Sequence, residues 1–351
     1  MVLKITTGVK KTKKKNTKKK LSIALSLVLS FAIIIIILKF TIDKDTFTYL
    51  SQEKIQYEFF IAAIGLSILY WFIWALRLKI LSSALDHHVK ISLWEHIKII
   101  IATLFIAGIT PSSAGGEPIR IHLLHKKGMN TGGATAAVMT ERLLDAIFIL
   151  GCVPFAFFIY KDLIEIEAVK IGLYLGIAFF ISLILIFIYA IKNPQKLKSF
   201  LIFMAKKAHR FIPTTKWKKE THLIEKITHE VDNFHQSMLF FRKERKKEFL
   251  MGGMVTIVFW STGFLVPSML LMGMGLQPFL LESYCAQVLL VICILIPTTP
   301  GSSGVAEAST AVLYAPLINQ SLLGVFILLF RFITYHLNLL VGGLFLYKIF
   351  K

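Results

Sequence analysis

Residues 110–118 read TPSSAGGEP, between the apolar run IIIATLFIAGI (99–109) and the segment IRIHLLHKK (119–127). Proline, small residues and a carboxylate so close together predict an irregular loop. The apolar flanks, however, indicate that this loop lies at membrane depth. Irregular backbone is tolerated at that depth only where it is buried in protein or lines a water-filled cavity. The stretch therefore predicts a cavity inside a membrane domain.

The composition assigns the class of protein. Hydrophobic residues make up 56% of the 351 residues, charged residues make up 17%, and the mean hydropathy is +0.69. One soluble core cannot bury so many apolar side chains, so the bilayer must act as the solvent for much of the chain. The net charge of +20 is concentrated in the N-terminal tail and in loops between apolar runs. This is the distribution of cytoplasmic loops, and we expect no nucleic-acid partner.

Six apolar segments reach the length of about 20 residues that a helix needs to cross a bilayer. They lie at 21–41, 58–81, 134–160, 169–191, 249–273 and 321–348. The first ends without a small-residue cleavage site, which favours a retained transmembrane helix over a signal peptide. Two shorter runs, 93–109 and 281–297, each lead into a break. We expect an all-α polytopic integral membrane protein with about six full spans plus two re-entrant or broken helical hairpins. For 281–317, two tight spans remain the alternative to a hairpin.

Basic residues predict the orientation. The tail 1–20 carries nine lysines and no acidic residue, so we expect it to be cytoplasmic and disordered. Segments 77–98 and 120–127 are also basic, so the chain between them should enter and leave on the cytoplasmic face. Residues 192–248 form a basic, amphipathic cytoplasmic insertion in the membrane domain 21–349. We expect both termini in the cytoplasm of a cell (plasma) membrane protein, with anionic inner-leaflet lipids near the tail and the insertion.

The two breaks resemble each other. Residues 110–117 read TPSSAGGE, and residues 299–307 read TPGSSGVAE. Two similar breaks in opposite orientations are typical of transporters built from inverted repeats with broken helices at the midplane. Chance similarity between two Gly/Ser loops is the alternative explanation.

The breaks could bind an anion. Glycines permit close backbone approach and positive φ, the hydroxyl residues could cap the following helix, and Pro118 suits its first turn. A helix N-terminus in a cavity is a site for a phosphate group. A structural kink whose polar groups are satisfied internally is the alternative. The candidate residues are Ser112, Ser113, Gly115, Gly116, Gly301, Ser302, Ser303 and Gly304.

Charged side chains inside apolar segments are costly, and each is a functional candidate with a partner. They are Glu117, Arg120, Glu141, Arg142, Asp145, Glu282, Glu307 and Arg331. The alternative is an ion cluster that stabilises the fold, in which Arg142 pairs with Glu117 or Glu307. Arg331 could pair with Glu307 or Glu282, or bind a phosphate. Neither the cysteines nor the histidines form a metal motif, and we expect no metal, cofactor or disulfide.

The motifs resemble those of a flippase-like membrane family, the transmembrane region of lysylphosphatidylglycerol synthases. TPSSAGGEPIRIHLLHKKGMNTGGATAAVMTERLLDAI (110–147) resembles the family's P-x-x-x-G-G-E-x-x-R segment and its E-R-x-x-D helix. IPTTPGSSGVAEAS (296–309) resembles its P-x-x-P-G-x-x-G-x-x-E segment. The resemblance implies lipid movement between leaflets, best known for aminoacylated phosphatidylglycerol. It places Glu117, Arg120, Glu141, Arg142, Asp145 and Glu307 along the head-group path. The synthases also carry a soluble transferase domain after the membrane region, and this sequence ends at Lys351, so the resemblance does not imply transferase activity.

These observations predict a lipid flippase or translocase that is not an enzyme. A phospholipid head group would enter between the breaks, where helix N-termini and Arg120, Arg142 or Arg331 hold its phosphate. One alternative is a membrane-embedded head-group transferase that uses Glu117 and His122. Another is a non-catalytic scaffold for a separate lipid synthase, which is also a candidate partner of a flippase.

Overall fold

A computed structural model gives the structure of the chain. It describes residues 55–85, 89–110, 113, 115–160, 192–211, 244–294, 299 and 301–349, with scattered positions between 171 and 189 and between 224 and 239. The tail 1–20, the predicted span 21–41, most of the span 169–191 and Ser112 lie outside the described residues. The described part is helical and contains no strand.

The described part of the chain contains ten α-helices. In chain order they are α1 Tyr57–Leu85, α2 Leu93–Gly108, α3 Gly116–Lys126, α4 Thr131–Tyr160, α5 Pro194–Phe211, α6 Lys246–Gly273, α7 Leu280–Ile294, α8 Val305–Tyr314, α9 Gln320–Arg331 and α10 Leu337–Ile349. A π-helical turn, Phe332–His336, joins α9 to α10, so these three segments form one continuous helix.

Four helices are long and apolar enough to cross a membrane. They are α1, α4, α6 and the last helix over 320–345. They coincide with four of the six predicted spans, 58–81, 134–160, 249–273 and 321–348. The multi-pass, all-helical class is therefore confirmed for the described part of the chain.

The helices occur in the same order in two halves. In the first half, α1, α2, α3 and α4 have 29, 16, 11 and 30 residues. In the second half, α6, α7 and α8 have 28, 15 and 10 residues, and the last helix consists of segments of 12, 5 and 13 residues. Each half is thus a long helix, two short helices separated by a break, and a second long helix.

The first helices of the two halves pack against each other in opposite directions. The Gln56 N–H, just before α1, donates to the carbonyl of Gly273 at the end of α6, with an N–O distance of 3.0 Å. Near the other end, the space that a Cβ of Gly252 would occupy lies 2.8 Å from Leu81 Cδ2. The two helices therefore run antiparallel over most of their length. Helix α2 packs on α10, and α7 packs on α4, so each half also contributes a short helix to the other.

Each pair of short helices forms a hairpin whose outer ends are close together. In the first hairpin, Lys127 Nζ lies 2.5 Å from Glu95 Oε2. In the second, the hydroxyls of Ser283 and Tyr314 are 2.9 Å apart. The two tips meet at the breaks, where the Gly301 N–H donates to the Thr110 carbonyl at 3.2 Å. The two stretches that looked alike in sequence are thus in direct contact.

The insertion 192–248 is helical where it is described. Helix α5 occupies part of it, and Lys198 on this helix forms an ion pair with Asp232 at 2.6 Å. Val231 is buried, whereas Phe200 and Phe203 are exposed.

Candidate functional site

The helices that follow the two breaks begin at glycines rather than at hydroxyl residues. The N-cap of α3 is Gly115 and that of α8 is Gly304. In the first break the Thr110 hydroxyl accepts from the Gly115 N–H at 3.0 Å, so a hydroxyl residue does contact the start of α3. The Gly304 N–H instead donates to Glu307 Oε2 at 2.6 Å. The protein's own carboxylate therefore occupies the helix terminus at which the sequence predicted an anion.

Both breaks contain a serine in the left-handed region. Ser113 has φ 59° and Ser302 has φ 52°, and each non-glycine residue in this region costs of order 1 kcal/mol or more. Gly301 and Gly304 have the predicted positive φ, but Gly115 has φ −80°. Gly115 instead permits close approach, because an added Cβ would lie 2.7 Å from Thr110 Cγ2.

A buried ion network joins α1, α3 and α4. Arg77 Nε donates to Glu141 Oε1 at 3.1 Å, and Arg77 Nη1 donates to Asp145 Oδ1 at 2.6 Å. Arg120 Nη1 donates to Glu141 Oε2. Arg77, Arg120 and Glu141 are 0% exposed. Removing one partner of such a pair leaves an uncompensated charge in a medium of low dielectric constant.

Aromatic side chains surround the arginines of this network. The guanidinium of Arg77 lies 4.3 Å from the ring centroid of Phe259, and that of Arg120 lies 4.7 Å from that of Trp74. Trp260 Nε1 donates to Asp145 Oδ1 at 2.8 Å. The aromatic quadrupoles and the carboxylates together stabilise cations that the membrane would otherwise destabilise.

Arg142 connects this network to the first break. Its Nε lies 3.0 Å from Glu117 Oε1, and its Nη1 donates to Asp145 Oδ2 at 3.4 Å. The contact with Glu117 is an ion pair rather than a hydrogen bond, because Arg142 Nε has no hydrogen-bond partner in the described structure. Its side chain is 40% exposed, so this pair is the accessible part of the network.

A second ion pair lies at the other break. Arg331 Nε donates to Glu307 Oε1 at 2.8 Å, and its guanidinium lies 4.3 Å from the ring centroid of Tyr335. The Tyr335 hydroxyl donates to the Gly108 carbonyl at 3.1 Å. Tyr335 also covers Gly301, where an added Cβ would lie 2.4 Å from the ring. Tyr335 therefore links the arginine to both breaks.

The Glu117–Arg142 and Glu307–Arg331 ion pairs occupy equivalent positions in the two halves. Glu117 and Glu307 each lie in the first turn of the short helix after a break. Arg142 and Arg331 each lie eleven positions after the first residue of the following helix, which begins at Thr131 or at Gln320. Of the partners left open by the sequence, Arg142 pairs with Glu117 and Arg331 pairs with Glu307.

A cavity of about 360 Å³ lies between the two halves. Its charged lining residues are Arg120, Arg142, Arg331 and Glu117. Of the residues proposed for the breaks, Ser113, Gly116, Gly301 and Ser302 also line it, whereas Gly115, Ser303 and Gly304 lie outside the lining. Glu141, Asp145 and Glu307 lie outside it too, although each forms an ion pair with an arginine that lines the cavity. The aromatic lining residues are Tyr70, Trp71, Trp74, Trp260, Phe264, Phe330 and Tyr335.

Sequence reasoning missed Arg77 and the aromatic lining. Arg77 was counted among the basic residues of a cytoplasmic loop, but it is fully buried in α1. A signal was present, because Arg77 lies inside the predicted span 58–81. The aromatic residues carry no comparable signal, since aromatic side chains are common in every apolar segment of this chain.

Comparison with known proteins covers nearly the whole chain. The sequence profile described as "Lysylphosphatidylglycerol synthase TM region" matches residues 23–342. A UPF0104 membrane protein of Archaeoglobus fulgidus is 33% identical over 317 residues, which cover 89% of this chain and 92% of that protein. A UPF0104 membrane protein of Methanocaldococcus jannaschii is 26% identical over 324 residues, which cover 88% and 92%. One from Pyrococcus horikoshii is 22% identical over 298 residues, which cover 83% and 87%.

Proposed function

The chain belongs to the family of the lysylphosphatidylglycerol synthase TM region, and on that premise we propose that it moves a phospholipid between the leaflets of a membrane. The observation that carries this proposal is the cavity at the junction of the two breaks. Three arginines and one carboxylate line it, within a domain whose long helices are apolar enough to span a bilayer. A polar head group crossing hydrocarbon needs such a polar path, while its acyl chains remain in the lipid.

We propose that both hairpins are re-entrant. Helices α3 and α8 have 11 and 10 residues, which at about 1.5 Å per residue is far shorter than the roughly 30 Å of hydrocarbon. The adjoining outer ends of each hairpin and the contact between the two tips support the same arrangement. With two spans outside the described residues, this gives about six spans and two hairpins in an inverted repeat, as the sequence predicted.

The proposed orientation follows the basic residues. Both termini and the insertion 192–248 lie on the cytoplasmic side of the plasma membrane, where lysines attract anionic inner-leaflet lipids. The first hairpin then enters from the cytoplasm and the second from outside. A separate lipid synthase is a candidate partner that would supply the transported lipid.

We propose transport rather than catalysis because of how the cavity groups are arranged. Glu117 lines the cavity, but His122, the base partner considered from the sequence, is an exposed residue of α3 outside the lining. The two equivalent Glu–Arg pairs instead suit a head group that exchanges contacts with each pair in turn. Any phosphate that binds Arg142 or Arg331 competes with a carboxylate of the protein itself, which keeps the binding reversible.

Leaflet exchange in liposomes tests the proposal. The purified chain is reconstituted with head-group-labelled phospholipids, and the label's accessibility to a quencher is followed over time. We expect exchange with the wild type and a loss of most of it with Arg142→Gln and with Arg331→Gln. Lys126→Gln, which removes an exposed cation of α3 outside the cavity, is the matched control. Wild-type liposomes without exchange of any labelled lipid would contradict a transport function and favour the scaffold or transferase alternatives.

A further inference from the structure

The proposed transport function leaves open which head groups the cavity accepts. Resting on that function, we infer that the cavity selects a net-anionic head group, which carries a phosphate and no cationic amine. A lysyl-bearing head group is therefore a poor ligand for this chain, although the family is described by a lysyl-lipid synthase. The inference rests on where the charges lie around the cavity and on which hydrogen-bonding groups remain without a partner.

Arginines outnumber carboxylates among the residues that line the cavity. Three arginines line the cavity with one carboxylate, Glu117. The carboxylates of Glu141, Asp145 and Glu307 lie outside the lining, and they form ion pairs with Arg120, Arg142 and Arg331, respectively. The four arginines and four carboxylates of the whole site balance in formal charge. The placement of these charges, rather than their sum, makes the cavity face positive.

Hydrogen-bond donors remain without partners on two residues that line the cavity, Arg120 and Trp74. Arg120 is 0% exposed, and its Nε and Nη2 have no hydrogen-bond partner among the described residues. Trp74 Nε1, on the ring that stacks with this guanidinium, also lacks one. A buried, charged donor without an acceptor carries a large desolvation cost, so such groups mark the position of an absent acceptor. A phosphodiester offers charged acceptor oxygens for a guanidinium in the geometry that arginine binds best.

The three carboxylates outside the lining, in contrast, have both oxygens engaged. Both carboxylate oxygens of Glu141 accept from arginines, as do Asp145 Oδ1 and Oδ2. Glu307 accepts from Arg331 with one oxygen and from the Gly304 N–H with the other. An ammonium group in the cavity would meet Glu117, already paired with Arg142, and three guanidinium groups. Its desolvation would therefore be poorly compensated.

Binding measurements on the full chain in detergent micelles test this preference. The probes are dioctanoyl phosphatidylglycerol, its lysyl ester and inorganic phosphate. We expect the anionic lipid to bind at least about tenfold more tightly than the cationic ester, the effect of one charged hydrogen bond. We also expect inorganic phosphate to compete with it. Equal or tighter binding of the lysyl ester overturns the inference. Phosphate binding without lipid binding assigns the site to the free ion and overturns it as well.

Three variants separate an anion site from a cation site. Arg120→Gln should weaken binding of the anionic lipid about tenfold or more, and Trp74→Phe should weaken it by a smaller factor while keeping the ring. Glu117→Gln should tighten it several-fold, because the guanidinium of Arg142 loses its competing carboxylate. A cation site requires the opposite, a loss of binding with Glu117→Gln. Lys126→Gln is the control for all three, and thermal transitions in detergent verify folding.

Leaflet exchange in the same liposomes distinguishes a failure of this inference from a failure of the proposed function. Exchange of the lysyl ester in preference to the anionic lipid overturns the anionic selection and leaves transport intact. The absence of exchange for every lipid overturns transport. If the donors of Arg120 bind ordered water and no lipid, the anionic lipid will not bind to the protein in micelles. That outcome overturns the inference independently of any transport assay.

Discussion

At the scale of single residues, Arg77 shows how the network is held together. It contacts two carboxylates that lie 64 and 68 positions further along the chain, and it stacks on Phe259. Its guanidinium is a structural counter-ion, since Arg77 lies outside the cavity lining. Arg77 was not among the buried charges that the sequence singled out, and its contacts support a structural role.

Replacing Arg77 with methionine should therefore lower the free energy of unfolding by about 3–5 kcal/mol, because Asp145 and Glu141 keep their charges but lose a buried partner. Unfolding of the purified chain in mixed detergent micelles measures this change. Lys126→Met, at an exposed position, should change it by less than about 0.5 kcal/mol. Equal effects of the two substitutions would show that the Arg77 contacts are not important for stability.

Glu95, at the outer end of the first hairpin, makes a pH-dependent contribution to the stability of the fold. Hydrogen bonds from Lys127 and from Lys98 lower the pKa of the Glu95 carboxyl below its ordinary value. A carboxyl with a lowered pKa in the folded state stabilises the fold above its unfolded pKa of about 4.3, and this contribution is lost as the pH falls through the folded pKa. For a partly exposed pair it is under about 1 kcal/mol.

The wild type should thus be slightly more stable than Glu95→Gln at pH 7, and the difference should shrink as the pH is lowered below about 4. Thermal transitions of both proteins over a pH series give the comparison. A difference that is constant from pH 7 to pH 3 would rule out an ionised Glu95 as its cause.

At the scale of elements, small residues decide how closely helices approach. Helix α10 contacts α2 at Gly342, where an added Cβ would lie 2.6 Å from Phe105 Cβ and 3.1 Å from the Ile101 carbonyl oxygen. One of these atoms belongs to the backbone and the other is bonded to it, so rotating a side chain cannot relieve the clash. Close backbone approach at glycines is typical of helix packing in membranes, where dispersion replaces the hydrophobic effect. This contact joins a hairpin of one half to the last helix of the other.

Gly342→Ala should consequently destabilise the protein by about 1–3 kcal/mol through overpacking. Gly65→Ala is the matched control in α1, because no atom lies within 4 Å of the space that its Cβ would occupy. We expect that control to leave stability unchanged or to raise it by up to about 1 kcal/mol. Thermal transitions in detergent distinguish the two, and a neutral Gly342→Ala would disprove the close packing of α2 and α10.

At the scale of the whole molecule, the two halves form a pseudo-symmetric pair. The equivalent helices α1 and α6 are antiparallel, each half contributes a hairpin to the other, and the tips meet at Thr110 and Gly301. The equivalent ion pairs then lie on either side of one cavity. The symmetry is incomplete, because Phe330 occupies in α9 the position that Glu141 occupies in α4. The first half therefore carries the larger charged network.

Labelling of single cysteines tests the resulting topology. In a variant with Cys152, Cys285 and Cys293 replaced by alanine, cysteines at the exposed positions Lys90, Lys126 and Lys247 should react from the cytoplasmic side. Cysteines at Gln277 and Gln320, which are also exposed, should react from the opposite side. If Lys90 and Lys126 reacted from opposite sides, the first hairpin would cross the membrane and the re-entrant topology would be incorrect.

Much of the architecture could be predicted because its causes are local in the chain. Hydropathy over about 20 residues predicts a span, and proline, glycine and serine predict a break, without knowledge of distant residues. Four of the spans were obtained in this way. The capping residues were not, because Gly115 and Gly304 occupy those positions and Glu307 takes the role assigned to a hydroxyl.

The sequence by itself thus determined the membrane class, the repeated break and the family of this protein, since these depend on composition and on short motifs. Only the tertiary structure decided that Arg77 is buried and that Glu117 pairs with Arg142. It alone also decided that three arginines line the cavity while Glu141, Asp145 and Glu307 do not. Those outcomes depend on the rotation and crossing of helices that are distant in sequence. Hydropathy cannot encode them, because a buried ion pair is made by the side chains that packing brings to within about 3 Å of each other.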